Sequence, residues 1–583
     1  MIRMILIGLC CAQSICLYAQ TFRAQVDEEG KMQIRRSMED HRTLEWRSEG
    51  FDQMEGFPIG ARANKTFKNF RNISLADVNN DGLDDILWGA DNQFLVHNYE
   101  GLLWRRFLIG TIIYPPSIAD LDADGQLEIV QATGGSQSTG RLYVFDTQGS
   151  DRTGWPKSYN GHWILLAPAI ADVDDDGIKE IIFNERDSPA SQLHIVKPDG
   201  NPINANWPQA IDGTLAITPS IGDVDGDQQK EIFTASTDTR YLFNLDGTLP
   251  SGWPQVTGPQ QKYSFQSALI ADLNQDGARE IIGATHGDSP EYYVLGADGQ
   301  ALPNWPQLVP NNAWTFNTPT LVEIDGSSRL LMSRPISATA ADMLYAWDGQ
   351  GDMLLGYPII KAGGLEGLIS VIDVDGDDEY ELLFGSNTLS EDGRGFIHAY
   401  ELDGVTEVEG FPLRPKGWTL MNGVNAGDIN GDGQLDLVAL SYTSNIGLPT
   451  PDSIFLNVYE MDASYSKERV LWSTYKGSNS RDGWVGRGAL TSTDQLLPPF
   501  NFSVYPNPVS RQINVELEVY EKGEMEVKLL NALGQTCGQL FAGEVGPGSH
   551  RWTFSVADLP KGVYLLRITR KGSIGFSSKV LKY

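Results

Sequence analysis

Seven stretches of nine residues carry side-chain oxygens at alternate positions. The first has Asp77, Asn79 and Asp81, then Asp85 at its ninth position. The next three have Asp120, Asp122, Asp124 and Glu128; Asp172, Asp174, Asp176 and Glu180; and Asp223, Asp225, Asp227 and Glu231. The last three have Asp272, Asn274, Asp276 and Glu280; Asp373, Asp375, Asp377 and Glu381; and Asp428, Asn430, Asp432 and Asp436. Oxygens at positions 1, 3 and 5 of a tight turn converge on one point, and a glycine at position 6 allows the reversal. A main-chain carbonyl at position 7 adds a further donor, here from Leu83, Gln126, Ile178, Gln229, Ala278, Glu379 and Gln434. Six to eight hard oxygens suit calcium; magnesium favours a smaller, water-rich octahedron. An EF-hand loop opens the same way but ends with Glu at its twelfth position. Here the twelfth position holds Trp88, Gln131 and Phe183, so the acid at position 9 closes the set. The expectation is about seven calcium ions with a structural role.

The loops recur. Their first positions are 77, 120, 172, 223, 272, 373 and 428. A degenerate copy, Glu323, Asp325 and Gly326, has Ser327 and Leu331 where the fifth and ninth acids belong, and is expected to be empty. With it the loops return about every 50 residues, a period that marks a propeller, solenoid or array. Short apolar runs flank each loop, such as 168–171 before and 181–183 after. A third run ends in Asp199-Gly200, Asp246-Gly247 or Asp298-Gly299, a strong hairpin signal. An aromatic residue follows, usually before proline: Phe57, Trp155, Trp207, Trp253, Trp305, Tyr357 and Phe411, with Trp104 in that place before the second loop.

Each unit is therefore three or four short strands without helical periodicity. A sheet that small cannot bury both faces alone, and packing several into a ring solves this. The fold expected is all-β: a β-propeller of about eight blades, with seven as the alternative, over residues 53–490. Residues 20–52 carry strand-like pieces at 32–36 and 43–46 that could close the last blade; 455–459 and 470–472 compete for that place. The aromatic residues are expected to wedge between blades, with sugar platforms the less favoured role.

Composition narrows the function. The 76 Asp and Glu against 44 Lys and Arg give a net charge of −32, which excludes a generic nucleic-acid binder and argues against an anionic membrane surface. Arg3, the apolar run 4–11 and 17–19 read as a signal peptide over 1–19. No later run is long and apolar enough to span a membrane. Cys10, Cys11 and Cys16 lie in that leader, so the mature chain keeps Cys537 and no intrachain disulfide. A lipid anchor on Cys10 or Cys16 is disfavoured by Leu9 and Ile15 beside them.

The nine-residue units resemble the FG-GAP or VCBS repeat of integrin α-subunit propellers and bacterial surface proteins. That resemblance implies calcium loops between the first two strands of each blade. Gln228 and Asp378 depart from it by replacing the loop glycine. Beyond a polar, proline-rich linker at 491–501, residues 502–583 show alternating strands, the Tyr505-Pro506-Asn507-Pro508 start, the stretch 559–564 and the lysine-bearing end 579–582. About 80 such residues suffice for a β-sandwich. The block resembles the type IX secretion sorting domain of Bacteroidota, which implies handling by that machinery and export through the periplasm and outer membrane to the cell surface or medium.

No sequence pattern marks a catalyst. His41, His97, His162, His194, His286, His398 and His550 are scattered, and no zinc or nucleophile-elbow motif is present. The Gly-rich stretch 134–140 lacks the lysine of a phosphate loop. The favoured expectation is an adhesion or binding protein for extracellular glycan or protein. The alternative is a polysaccharide lyase, with His162 and Arg186, or His286 and Tyr292, as the pairs that could converge.

Overall fold

The computed structural model describes residues 21–26, 32–37, 51–63, 73–134, 140–159, 164, 166–186, 190–215, 217–263, 265–309, 318–333, 342–361, 364–365, 367–443, 453–485, 500–505, 509–519, 523–531, 536–546, 548–557, 559–570 and 576–583. Residues 1–19, read above as a leader, His41, His162, most of the Gly-rich stretch and most of residues 491–501, read as a linker, lie outside them. The chain divides into two compact units, residues 1–493 and 494–583.

Among the described residues, the first unit holds eight small, mainly antiparallel sheets, each built on one acidic repeat or its degenerate copy, and a ninth sheet apart from these. The first is representative: Ser74–Ala76, Asp85–Ala90, Gln93–Asn98 and Gly101–Phe107 meander in chain order. Burial falls along that order, from wholly buried inner strands to a half-exposed outer one. The inner strands meet in sequence. Ser74–Ala76 touches Ser117–Ala119, which touches Ala169–Ala171, then Ser220–Gly222 and Leu269–Ala271. A single apolar cluster with Leu269, Leu321 and Val371 carries the packing through the fifth, sixth and seventh sheets. Ser370–Ile372 then touches Val424–Gly427, which touches Ser74–Ala76, so the last sheet meets the first. The fold is all-β and propeller-like. No α-helix occurs among the described residues.

Two side-chain devices recur between sheets. Inner-strand hydroxyls donate to carbonyls of the next unit: Ser74 to Pro116 (2.8 Å), Ser117 to Pro168, Ser220 to Ala268 (2.7 Å), Thr320 to Ile369 (2.8 Å) and Ser370 to Val424. Outer aromatic residues do the same at the rim. The indole N–H of Trp104, Trp155, Trp207 and Trp253 donates to the carbonyl of Thr147, Pro198, Leu245 and Ala297 at 2.7–3.0 Å. Trp155, Trp207, Trp253 and Trp305 are buried, so these residues are wedges rather than open platforms. The seven aromatic–proline bonds are cis.

The eighth sheet joins both ends of the repeat region, and here the sequence expectation is corrected. Its outer strand is Ile59–Arg62, paired with Ser453–Ser464, and not a strand from residues 20–52. The reason is register: Phe57-Pro58 precedes Ile59 as five of the other six aromatic–proline pairs precede an outer strand. Thr21–Val26 pairs instead with Met32–Ser37 and with Thr388–Leu389 of the seventh repeat.

Val470–Trp472 does not join the last sheet either. It adds to the inner edge of Ser370–Ile372. The chain beyond it then runs along other inner edges. The N–H groups of Ile118, Ile170, Ile221 and Ile270 donate to the carbonyls of Asn479, Ser480, Asp482 and Gly483 at 2.8–3.0 Å. Asn479 donates to Leu75 O (2.7 Å), and Trp484–Val485 pairs in parallel with Ile270 and Ala271. Inner strands present unpaired backbone groups to the axis they surround. One segment of the same chain satisfies them in six of the eight sheets.

The second unit is a two-layer sandwich. Phe500–Tyr505, Gln512–Val519 and Gly548–Ser555 form one sheet; Thr536–Val545, Gly523–Asn531, Gly562–Arg570 and Phe576–Lys582 form the other. Alternate residues Ile513, Val515 and Leu517 face Val527, Leu529 and Leu566 in its core.

Candidate metal centres

Each acidic loop joins an inner strand to the second strand of its sheet. An apolar residue at position 2 anchors its start: Val78, Leu121, Val173, Val224, Leu273, Val374 and Ile429 are all buried. The acid at position 9 opens the next strand and is buried as well, with Asp85, Glu128, Glu180, Glu231, Glu280, Glu381 and Asp436 no more than 2% exposed. The two anchors are tied together. In all seven loops the position-2 N–H donates to one carboxylate oxygen at position 9, at 2.7–3.1 Å.

The remaining acids shape the turn. The position-5 carboxylate accepts the position-7 N–H in every loop, at 2.7–2.9 Å. The position-1 carboxylate accepts N–H groups from position 4 or 6, as Asp77 does from Gly82 (2.9 Å) and Asp223 from Gly226 (2.7 Å). Positions 4 and 6 both take positive φ: Asn80 at 62° and Gly82 at 90° in the first loop, Gly226 at 82° and Gln228 at 73° in the fourth. The departures seen in the sequence are thereby explained. Where Gln228 and Asp378 stand at position 6, glycine stands at position 4, so one of the two left-handed residues is always free of a Cβ clash.

In four loops the acids at positions 1, 3 and 9 bring ligand atoms within 4.8 Å of one another: Asp120, Asp122 and Glu128; Asp172, Asp174 and Glu180; Asp223, Asp225 and Glu231; and Asp373, Asp375 and Glu381. The other three have asparagine at position 3, or Asp85 or Asp436 at position 9, with the same hydrogen-bonded frame.

The free oxygen at position 9 tests the fit to a cation. Glu180 Oε1, Glu381 Oε1 and Asp436 Oδ1 are buried without a hydrogen-bond partner. Burial, reinforced by the other loop carboxylates, pushes Asp85, Glu128, Glu180, Glu231, Glu280 and Asp436 up to about 7 and Glu381 to about 9. A buried carboxylate facing like charges needs a proton or a cation. An all-oxygen donor set fits a hard divalent ion, and these clusters can hold one.

The sixth unit has no such loop. Thr320–Ile324 and Ser327–Ser333 are joined directly, with Ile324 opposite Ser327 and Asp325 and Gly326 both at positive φ. That is a two-residue hairpin.

Of the two pairs weighed for catalysis, His162 lies outside the described residues, and His286 and Tyr292 are both buried. Tyr292 is wholly buried and donates to Ser333 O at 2.9 Å, and burial holds His286 down at about 4. His97 Nδ1 accepts from the Trp88 indole (3.1 Å). His194 meets Glu185 at 2.6 Å and stacks on Phe183, and His398 meets Glu407 at 2.8 Å.

No curated protein matches the chain. Solved structures that match include the biofilm matrix protein Bap1 of V. cholerae, at 14% identity and TM-score 0.36, covering 76% of this chain and 97% of that one. The C-terminal domain of PilY1 from Pseudomonas aeruginosa is similar at 12% identity and TM-score 0.32, covering 64% and 92%. Two family models match within the chain, the FG-GAP repeat at residues 69–104 and the secretion system C-terminal sorting domain at 503–582. The second carries handling by the type IX secretion machinery and export to the cell surface or extracellular space. The first matched span contains the loop from Asp77 to Asp85, the frame that the other six loops repeat. This chain carries an FG-GAP repeat match within a series of like acidic loops and, at residues 503–582, a secretion system C-terminal sorting domain.

Proposed function

We propose that the first unit is a calcium-braced recognition scaffold that binds extracellular glycan or protein outside the cell. About seven calcium ions would be held by positions 1, 3, 5 and 9 and the carbonyl at position 7 of the seven loops. Calcium, when bound, supplies the positive charge that the buried ninth-position carboxylates lack. The ions stand in for the disulfides that a large exported chain of this composition does not have. Residues 1–19 act as the leader, 491–501 as the linker and 502–583 as the address.

The observation that carries the binding reading is the occupied axis. Residues 470–485 run along the inner edges of the sheets, so recognition falls to the loops and rims of a rigid scaffold. The buried, partnered state of His97, His194 and His398 supports the same reading.

The test is size-exclusion chromatography of a polysaccharide panel after incubation with the mature first unit, in calcium and in chelator. A calcium-dependent shift to larger size is expected. Breakdown of a polymer into fragments would make the protein an enzyme and overturn this reading. No shift with any polymer would remove the glycan half and leave a protein ligand.

A further inference from the structure

The seven loops are not equivalent. In the second, the Arg152 guanidinium lies on two of the acids that build the cluster. Its Nη2 pairs with Asp122 and its Nη1 lies 2.9 Å from Glu128 Oε1. The second contact is an ion pair without hydrogen-bond alignment, since Glu128 Oε1 accepts no hydrogen bond. That oxygen corresponds to the unpartnered one of Glu180 and Glu381. The cation therefore reaches the same atoms that a metal would use.

Arg152 is peculiar to this sheet. Its carbonyl accepts the N–H of Trp155, three residues on. The same hydrogen bond places Asn204, Pro250, Leu302, Leu354, Val408 and Met54 at the equivalent position of six other sheets, before Trp207, Trp253, Trp305, Tyr357, Phe411 and Phe57. None of these is a cation. Arg279 approaches Asp223 of the fourth loop more loosely, at 3.6 Å. Arg469 reaches the Asp373 loop from elsewhere, but it grips Asp373 and Asp378, and it leaves Glu381 Oε1 unpartnered.

We propose that Arg152 is an internal counter-ion that competes with calcium for Asp122 and Glu128, making the Asp120 loop the weakest site of the set. Calcium enters there by displacing the guanidinium. Displacement breaks both ion-pair contacts and leaves a cation beside the ion, so the loop fills at higher calcium than the others. Without calcium the same contacts keep this loop ordered while its neighbours carry uncompensated charge. The second sheet is thus insulated from calcium loss. This inference rests on the calcium reading above.

Calorimetric titration of the chelator-treated full chain with calcium tests it, comparing the parent with Arg152→Ala, Arg152→Lys and Glu128→Gln. The Arg152 side chain is about one-third exposed (32%), so its truncation leaves the fold intact. The parent is expected to bind one ion at least about tenfold more weakly than the rest. Arg152→Ala should bring that ion into the main group, Arg152→Lys should fall between, and Glu128→Gln should abolish it. In chelator, Arg152→Ala should also melt below the parent, with the difference vanishing in millimolar calcium. Unchanged or weakened binding in Arg152→Ala overturns the proposal while leaving the calcium reading in place. If neither parent nor variants bind calcium, both fall together.

Discussion

The carboxylate at position 9 is the residue on which each loop turns. It is buried, it accepts one backbone N–H, and in Glu180, Glu381 and Asp436 its second oxygen has no hydrogen-bond partner. Neutralising it should therefore act in opposite senses with and without metal. Glu180→Gln is expected to melt above the parent in chelator and below it in calcium; chemical denaturation in both conditions checks the crossing. Protons compete with metal at these acids. A folded pKa near 7 against about 4.5 unfolded means the calcium-depleted chain binds more protons folded than unfolded between those values. This contribution is complete below about pH 4.5 and is lost as pH rises through 7, and through about 9 for Glu381. Thermal melts in chelator should fall across pH 5 to 7.5, and calcium should flatten the trend while releasing protons. Position 6 gives a backbone prediction. Gln228 sits at φ 73°, so Gln228→Gly should raise stability by about 1 kcal/mol in a denaturant titration.

The sheets are joined by latches more than by shared strands. Trp155, Trp207 and Trp253, each just before an outer strand, reach the next repeat's turn, and the indole N–H finds a carbonyl there. Trp207→Phe keeps most of the buried ring and loses the bond to Leu245 O, costing about 1 kcal/mol. Trp207→Ala also opens a cavity and should cost about 3–5 kcal/mol. Equilibrium urea unfolding distinguishes the two. The recurrence of the aromatic–proline pair makes the wedge legible in the sequence. The inner-strand hydroxyls carry no such signal, although Ser74, Ser117, Ser220, Thr320 and Ser370 stand at one register before the loop. Serine and threonine are ordinary strand residues, and only the neighbour's carbonyl 2.5–2.8 Å away gives them a role.

At the level of the assembled first unit, the segment 470–485 takes the place of a ligand along the axis. Its backbone answers the inner edges, and its buried side chains reach several repeats: Tyr475 to Thr218 and Ser267, Lys476 to Pro219, Arg481 to Ser74. A chain ended before Val470 should lose its cooperative thermal transition, whereas one ended at Thr493 should keep it; scanning calorimetry reads the difference. Charge acts over the same range. Seven divalent ions would move the net charge from −32 to about −18. At about 1 mM calcium each site would add on the order of 0.5–1.4 kcal/mol.

The even return of the loops, the acids at positions 1, 3, 5 and 9 and the Asx-Gly turns are local regularities. Each is set by what one turn or one strand requires, so the sequence alone determined an all-β array of acidic loops ending in a sorting domain. What it left open was non-local. Which strand closes the eighth sheet depended on Ile59–Arg62 meeting Ser453–Ser464 from opposite ends of the repeat region, where several apolar runs compete equally by composition. Val470–Trp472 reads as any other strand, and only the inner edge of Ser370–Ile372 makes it part of an axis. Arg152 reads as a surface arginine in a turn, and only folding sets it against Asp122 and Glu128, which lie well before it in the chain. Periodicity is written residue by residue in the chain. Closure, axis filling and charge pairing are settled where distant backbone edges and uncompensated charges find partners, and that meeting exists only in the tertiary structure.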